Sequence, residues 1–245
     1  VSYIEVTLGG KRVGIADEAS IEIAKGCNNK CVGCYASKTT RMGERFFEMT
    51  PKEYDENAFR KSCKAVARKG ISVVRMAKHC DPGDPTLRRT AVQVLEASAR
   101  EGIQVVFVSK SIDWDKELSQ TLIDGNHVLH VSLGMITTAS SDACRKAVGD
   151  KYKKAGVKTY LRAVYDVTKE APSLLRGVSN AIVTPMRFPS KHAAALYDAD
   201  LSSYEFKNGY YRPLKMDSSW NSIAGRMCCG EVGSNIYCCN CGVCK

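Results

Sequence analysis

The segment Cys27-Asn28-Asn29-Lys30-Cys31-Val32-Gly33-Cys34-Tyr35 places three thiols on one short loop in CxxxCxxC spacing, followed directly by an aromatic residue. Three thiolates so spaced can ligate three irons of a cubane [4Fe–4S] cluster and leave the fourth iron without a protein ligand. A chelating molecule that offers an amino and a carboxylate group, as S-adenosylmethionine (SAM) does, can occupy that iron, so that an electron from the cluster reaches the adjacent sulfonium. Zinc is the competing use of cysteine, but a structural zinc site ordinarily needs four ligands and this loop supplies three.

A second group lies at Cys228, Cys229, Cys238, Cys239, Cys241 and Cys244. Cys238, Cys241 and Cys244 form CxxCxxC, and Cys228 or Cys229 can complete a set of four. Four thiolates suit a second [4Fe–4S] cluster or a zinc ion equally by ligand type. The presence of the first group tips the expectation toward iron–sulfur, with zinc and a disulfide-bonded tail as the alternatives. Cys63, Cys80 and Cys144, the remainder of the 12 cysteines, are scattered.

The elements that must position these residues follow a regular pattern. Residues 2–16 read as an N-terminal β-hairpin around Gly9-Gly10, with Tyr3–Thr7 and Arg12–Ile15 as its strands. From Ile21 onward, strands alternate with amphipathic helices, the signature of a parallel sheet with crossover helices. The expected strands are 21–24, 71–77, 104–109, 127–135, 158–167 and 181–188. Helix one, about 51–69, carries Phe59, Cys63 and Val66 on one face; helix two carries Ala91, Val94, Leu95 and Ala99. Trp114, Leu118 and Leu122 mark helix three, and Cys144, Ala147, Val148 and Ala155 the apolar stripe of helix four. A short fifth helix is expected near 173–179. Helix, glycine and strand repeat in that order, which argues for a partial (βα)6 barrel in an α/β protein. The expected organisation is a hairpin over 1–20, the barrel over 21–190 and a cysteine-rich, cluster-binding extension over 191–245. Ligands in such architectures bind beyond the carboxyl ends of the strands, where the loop of Cys27, Cys31 and Cys34 falls.

Composition narrows the classes. The chain has 245 residues, 44% hydrophobic, and no apolar run near the roughly 20 residues a bilayer requires. No secretory leader is evident, so a reducing cytoplasmic setting is expected, where many cysteines point to metal or redox chemistry. The formal charge of +10 favours a polyanionic partner. Lys38, Arg41 and Arg45 follow the cysteine loop and could contact phosphates; Lys151, Lys153, Lys154 and Lys158 read as a solvated helix face. Aromatic and basic residues interleave over 197–220 (Tyr204, Phe206, Tyr210, Tyr211, Arg212, Trp220), fitting either base stacking or a cap over the barrel mouth.

The CxxxCxxC motif resembles the signature of the radical SAM superfamily, which implies a partial barrel, SAM and a 5′-deoxyadenosyl radical. Over about 27–135 the chain also resembles spore photoproduct lyase and its relatives. That resemblance rests on Tyr35 after the motif, His79-Cys80-Asp81-Pro82-Gly83-Asp84 after strand two, Ser109-Lys110-Ser111 after strand three, and Val131-Ser132-Leu133 on strand four. It implies that Lys110 and Ser132 contact SAM and that Cys80 returns a hydrogen atom to a product radical. Tyr35 is carried over as a catalytic and cofactor-contacting candidate, and Asp81 and Arg162 join the cofactor-contacting set. The chain departs from the lyase pattern at Pro82, where that family has serine, and in its second cysteine group. For Cys80 the plainer reading is a buried thiol at a strand end.

The expected function is a radical SAM enzyme acting on a nucleic-acid base or nucleotide, fed by a one-electron donor such as flavodoxin or ferredoxin. Modification of a peptide or small metabolite is the second reading, and a non-catalytic zinc protein that binds nucleic acid is the third.

Overall fold

The structure is a computed structural model that describes residues 2–8, 19–29, 31, 34, 36–37, 42–134, 139–207, 209–223 and 226–227. Its centre is an eight-stranded sheet of β1 (Val6–Leu8), β2 (Ala19–Ile21), β5 (Val73–Met76), β6 (Gln104–Ser109), β7 (Val128–Leu133), β8 (Lys158–Tyr165), β9 (Ala181–Pro185) and β12 (Arg226–Met227), in that spatial order. The short β3 (Ala24–Lys25) and β4 (Thr50–Pro51) pair with each other, as do β10 (Tyr204–Lys207) and β11 (Tyr210–Pro213). Only β1 runs antiparallel; every other neighbour in the main sheet is parallel. Strand order follows sequence order, so each crossover steps one place in the same direction. A doubly wound sheet would reverse direction at a switch point. The arrangement is therefore that of a partial α/β barrel.

Four helices form crossovers: α1 (Glu56–Ala67), α2 (Arg88–Arg100), α3 (Lys116–Asp124) and α4 (Ala139–Lys154). Their starts are chemically marked. Asp55 accepts from Ala58 N at 2.8 Å and Asp115 from Leu118 N at 2.7 Å, each satisfying an otherwise orphan amide of the first turn. Phe59, Cys63 and Val66 are buried as the spacing requires, and so are Ala91, Val94, Leu95, Leu118 and Leu122. Alternation along the strands sends Val105, Phe107, Leu129, Val131, Leu133 and Leu161 into the same core as these helix residues. The opposite, concave face carries a small separate cluster, Val106, Val108 and Val128.

Some expectations differ from the result. The strand expected over 21–24 is split: β2 ends at Ile21, while Ala24–Lys25 turns away to pair with Thr50–Pro51. Val6–Leu8 pairs with Ala19–Ile21 and so joins the main sheet; the expected partner strand 12–15 lies outside the described residues. The fifth helix is a 3₁₀ turn, Ser173–Leu175. Helix α4 is rotated from the expected stripe. Cys144 and Ala147 are exposed, and the buried side is Asp142, Gly149 and Tyr152. The cause is close approach at Gly149, where a Cβ would sit 3.2 Å from Leu161 Cδ2 and 3.3 Å from Val131 Cγ2. Without a side chain there, the helix backbone can lie directly on β7 and β8.

Beyond β9, α5 (Lys191–Ala195) and the β10–β11 hairpin share a second core of Met186, Phe188, Ala193, Ala194 and Tyr204, with Tyr197 packed against it. Trp220 joins the main core, donating its Nε1–H to Lys169 O at 2.8 Å. The aromatic segment thus contributes packing at Tyr204 and Trp220, while Phe206 remains 62% exposed.

Candidate active site at the carboxyl edge of the sheet

The cysteine loop leaves β3 through Gly26, whose φ is +78° and where a Cβ would sit 2.5 Å from Phe46 O, so there is no room for a side chain. Cys27 N donates to the same Phe46 oxygen at 2.8 Å, and Cys34 N to Cys31 O at 3.1 Å. Two asparagines of the loop tie it to the turn after β5 and to the end of β6. Asn28 Nδ2 donates to Asp84 Oδ2 at 3.1 Å, and Asn29 Nδ2 to Asp81 Oδ2 at 2.5 Å, while Ser111 Oγ donates to Asn29 Oδ1 at 2.7 Å. Cys27, Cys31 and Cys34 are each half-buried free thiols.

Burial pushes the Cys27 thiol up to about 12, with Asp81, Cys31 and Cys34 adding to the rise. Cys31 is pushed up to about 11, again mainly by burial, and Lys110 pulls against it. Bound iron would supply the positive charge that releases these protons. Among the described residues no three His, Cys, Asp or Glu side chains close around a single metal-ion position. A cubane asks for something else, since each cysteine binds a different iron. Three thiols on one braced loop, near enough to feel one another's charge, fit that requirement.

Asp81 is buried and its carboxylate is fully used. Oδ1 accepts from Gly83 N at 3.0 Å and Ser109 Oγ at 2.5 Å; Oδ2 accepts from Lys110 N at 2.8 Å, Ser111 N at 3.1 Å and Asn29 Nδ2. Five donors on two oxygens tie the turn after β5, the end of β6 and the cysteine loop into one unit. Lys110 reaches across to Gly134 O at 2.5 Å, and burial lowers its ammonium to about 8 although Cys31, Asp142 and Asp81 favour the charge. Asp142 accepts from Gly134 N and from Arg145 Nη1 at 2.6 Å, and Tyr165 donates its hydroxyl to the same carboxylate. Arg145 Nε donates to Lys110 O at 3.1 Å, closing the network.

Cys80 follows β5 and packs against the main core. Its thiol is directed at Glu22 Oε2, 3.8 Å away, and Glu22 also accepts from Lys78 N at 2.7 Å and His79 N at 3.1 Å. Burial first, and then the Glu22 charge, push the thiol well above its ordinary range, so it is held as S–H. Ser132 and Arg162 stand in register on β7 and β8. The structure therefore gathers Cys27, Cys31, Cys34, Cys80, Asp81, Lys110, Ser132 and Arg162 along one sheet edge. Tyr35, Lys38, Arg41, Cys228, Cys229, Cys238, Cys241 and Cys244 lie outside the described residues; Arg45 is exposed. Sequence reading missed Asn28, Asn29, Glu22, Asp142, Arg145 and Tyr165. Asp84, Ser109 and Ser111 fell inside the motifs quoted around Asp81 and Lys110, but with no role assigned.

A singly wound parallel sheet with a thiol triad at its carboxyl edge defines a class of α/β barrel enzyme. A model of the radical SAM superfamily matches residues 21–187, more than half of the chain, and the chain belongs to that superfamily. Membership implies an enzyme that uses a [4Fe–4S] cluster and SAM. No curated protein sequence matches the chain. Among solved structures, a proposed phosphonomutase from Burkholderia cenocepacia J2315 is 16% identical, with a TM-score of 0.32 over 53% of this chain and 67% of that one. So slight a likeness bears on neither fold nor function. Among the described residues no helix is long and apolar enough to cross a membrane.

Proposed function

We propose that this enzyme cleaves SAM reductively and abstracts hydrogen from a nucleic-acid base or nucleotide. The observation that carries the chemistry is the loop of Cys27, Cys31 and Cys34, braced through Asn29 and Asp81 to the strand ends that carry Lys110. The substrate class rests on the formal charge of +10. When bound, a [4Fe–4S] cluster on these three thiolates supplies the electron that breaks the SAM sulfonium and yields the 5′-deoxyadenosyl radical, with flavodoxin or ferredoxin as donor. Lys110 offers a buried point charge for the SAM carboxylate, and Ser132 and Arg162 offer hydrogen bonds at the same rim. Asp81 holds the loop, its lone pairs being taken. Cys80, kept protonated beside Glu22, can quench a substrate-derived radical: the S–H bond breaks as the C–H bond forms, leaving a sulfur radical that an external donor of one electron and one proton restores. Cys238, Cys241, Cys244 and Cys228 would hold a second cluster, or zinc.

The test is anaerobic reconstitution followed by assay for 5′-deoxyadenosine. Alanine at Cys27, Cys31 or Cys34 should abolish its formation, and normal formation in all three variants would end the proposal. Cys80→Ala should still cleave SAM but release altered products; the native product at the native rate would reduce Cys80 to packing. DNA or RNA binding should weaken steeply with salt, whereas a small neutral substrate would show no such dependence.

A further inference from the structure

Below the rim where Ser132 and Arg162 offer contacts to SAM, the concave face of the sheet holds Arg75, His130 and Tyr160, to which the SAM chemistry gives no role. Register fixes which residues share this face. Arg75 stands opposite Val106, Val108 opposite His130, His130 opposite Tyr160, and Ser132 opposite Arg162, so Arg75, His130, Tyr160 and Arg162 all project from the face away from the helices. His130 is 0% exposed. Its ring meets Tyr160 edge-on at 5.5 Å, and neither ring nitrogen has a hydrogen-bond partner among the described residues. Arg75 Nε is buried in the same condition. Around the histidine, Arg75, Tyr160 and Arg162 are half-buried, so solvent reaches these side chains but not the imidazole, which a ligand would meet as they shift.

A buried imidazole with two idle nitrogens has lost its hydration without replacement, which native interiors seldom tolerate without a partner. The charges around it point to the missing partner's sign. Arg75, Arg162 and Lys158 are all near enough to disfavour protonation of His130, adding to the effect of burial. Glu22, which follows β2, already accepts from Lys78 N and His79 N. The cations reach the histidine from β5 on one side and β8 on the other, across a floor of Val106 and Val108. A tetrahedral oxyanion presents acceptors in several directions at once and so can meet donors from different strands. A planar carboxylate offers them in one plane only.

We propose that Arg75 and His130, with Arg162 contributing charge, bind a phosphate group of the substrate on the concave face. This deepens the nucleotide reading above and rests on it for the identity of the molecule that carries the phosphate. Arg75 supplies a guanidinium fork and His130 a single N–H, both to phosphate oxygens. The phosphate would lie deeper in the barrel than Ser132, by about the 6.6 Å that two residues of strand span.

Calorimetry on the anaerobically reconstituted protein with SAM would compare a nucleoside, its 5′-monophosphate and a dinucleotide bearing one internal phosphodiester. At least one phosphorylated form should bind about tenfold or more tightly than the nucleoside, the size of a charge-assisted contact. Which of the two gains identifies a terminal or a backbone phosphate. Arg75→Gln, at a half-buried position, and His130→Asn should each erase most of that ratio. A ratio unchanged in folded Arg75→Gln would overturn the site, as would equal binding of nucleoside and nucleotides by the native protein. If equal binding accompanies SAM cleavage stimulated by the nucleoside, only the phosphate site falls. If phosphate-dependent, Arg75-dependent binding persists while no nucleotide or nucleic acid stimulates cleavage, the site stands and the nucleotide reading falls.

Discussion

Two histidines three residues apart show how differently the two faces of the sheet are built. His127, on the helix face, accepts a hydrogen bond from Val105 N at Nδ1, 3.0 Å away. Nε2 therefore carries the proton and donates it to Leu95 O at 3.0 Å. His130, on the concave face, is as deeply buried and has no partner at either nitrogen among the described residues. Burial lowers both imidazoles below their usual range, but only His130 is pushed further by neighbouring cations. On the helix face, His127 has both ring nitrogens satisfied by backbone groups. The concave face leaves polar groups open, at a cost in stability that a ligand can offset.

The largest expected effect tests the helix face. Leu129 is 0% exposed in the main core, so Leu129→Ala should lose about 2–5 kcal/mol in urea unfolding. An equal loss from His130→Leu would break the comparison.

The histidines themselves give the next. His127→Leu strands the Val105 amide and should cost about 1–3 kcal/mol, whereas His130→Leu removes unsatisfied groups and should be neutral or stabilising by about 1 kcal/mol. The reverse order would mean that His130 has a partner essential to the fold.

The smallest effect is in pH. Both imidazoles have folded-state values below the ordinary 6.5, so the unfolded chain binds protons more readily just below that pH. Their neutral forms favour folding above about pH 6.5, and that stability is lost as pH falls from there, by up to about 1.4 kcal/mol per pH unit for each histidine. His130→Leu should flatten the decline between pH 6.5 and 5. An unchanged slope would show that His130 does not titrate in this window.

Much of the scaffold was legible before the structure. Strand β6 matches its expected range of 104–109, and the buried faces of α1 and α2 match their apolar spacing, because helix and strand periods show wherever one face is polar. Helix α4 was misread because its buried side contains Asp142 and Gly149, neither of which registers as apolar. The braces of the cysteine loop were hidden for another reason. Asn29 and Asp81 are separated by 52 positions, and side-chain partners that far apart leave no local pattern.

By itself the sequence determined the thiol triad, the order of strand and helix units and the edge at which the chemistry sits, because spacing and periodicity are local properties of a chain. What the faces of β7 meet belongs to the other kind of property. Leu129, Val131 and Leu133 alternate with His130 and Ser132, which sorts the strand into two faces, but Val128–Leu133 is buried along its whole length and the alternation does not say what each face meets. Only the register against Val108 and Tyr160 decided that this histidine looks into the barrel beside Arg75 and Arg162, since that placement depends on strands brought together from distant parts of the chain.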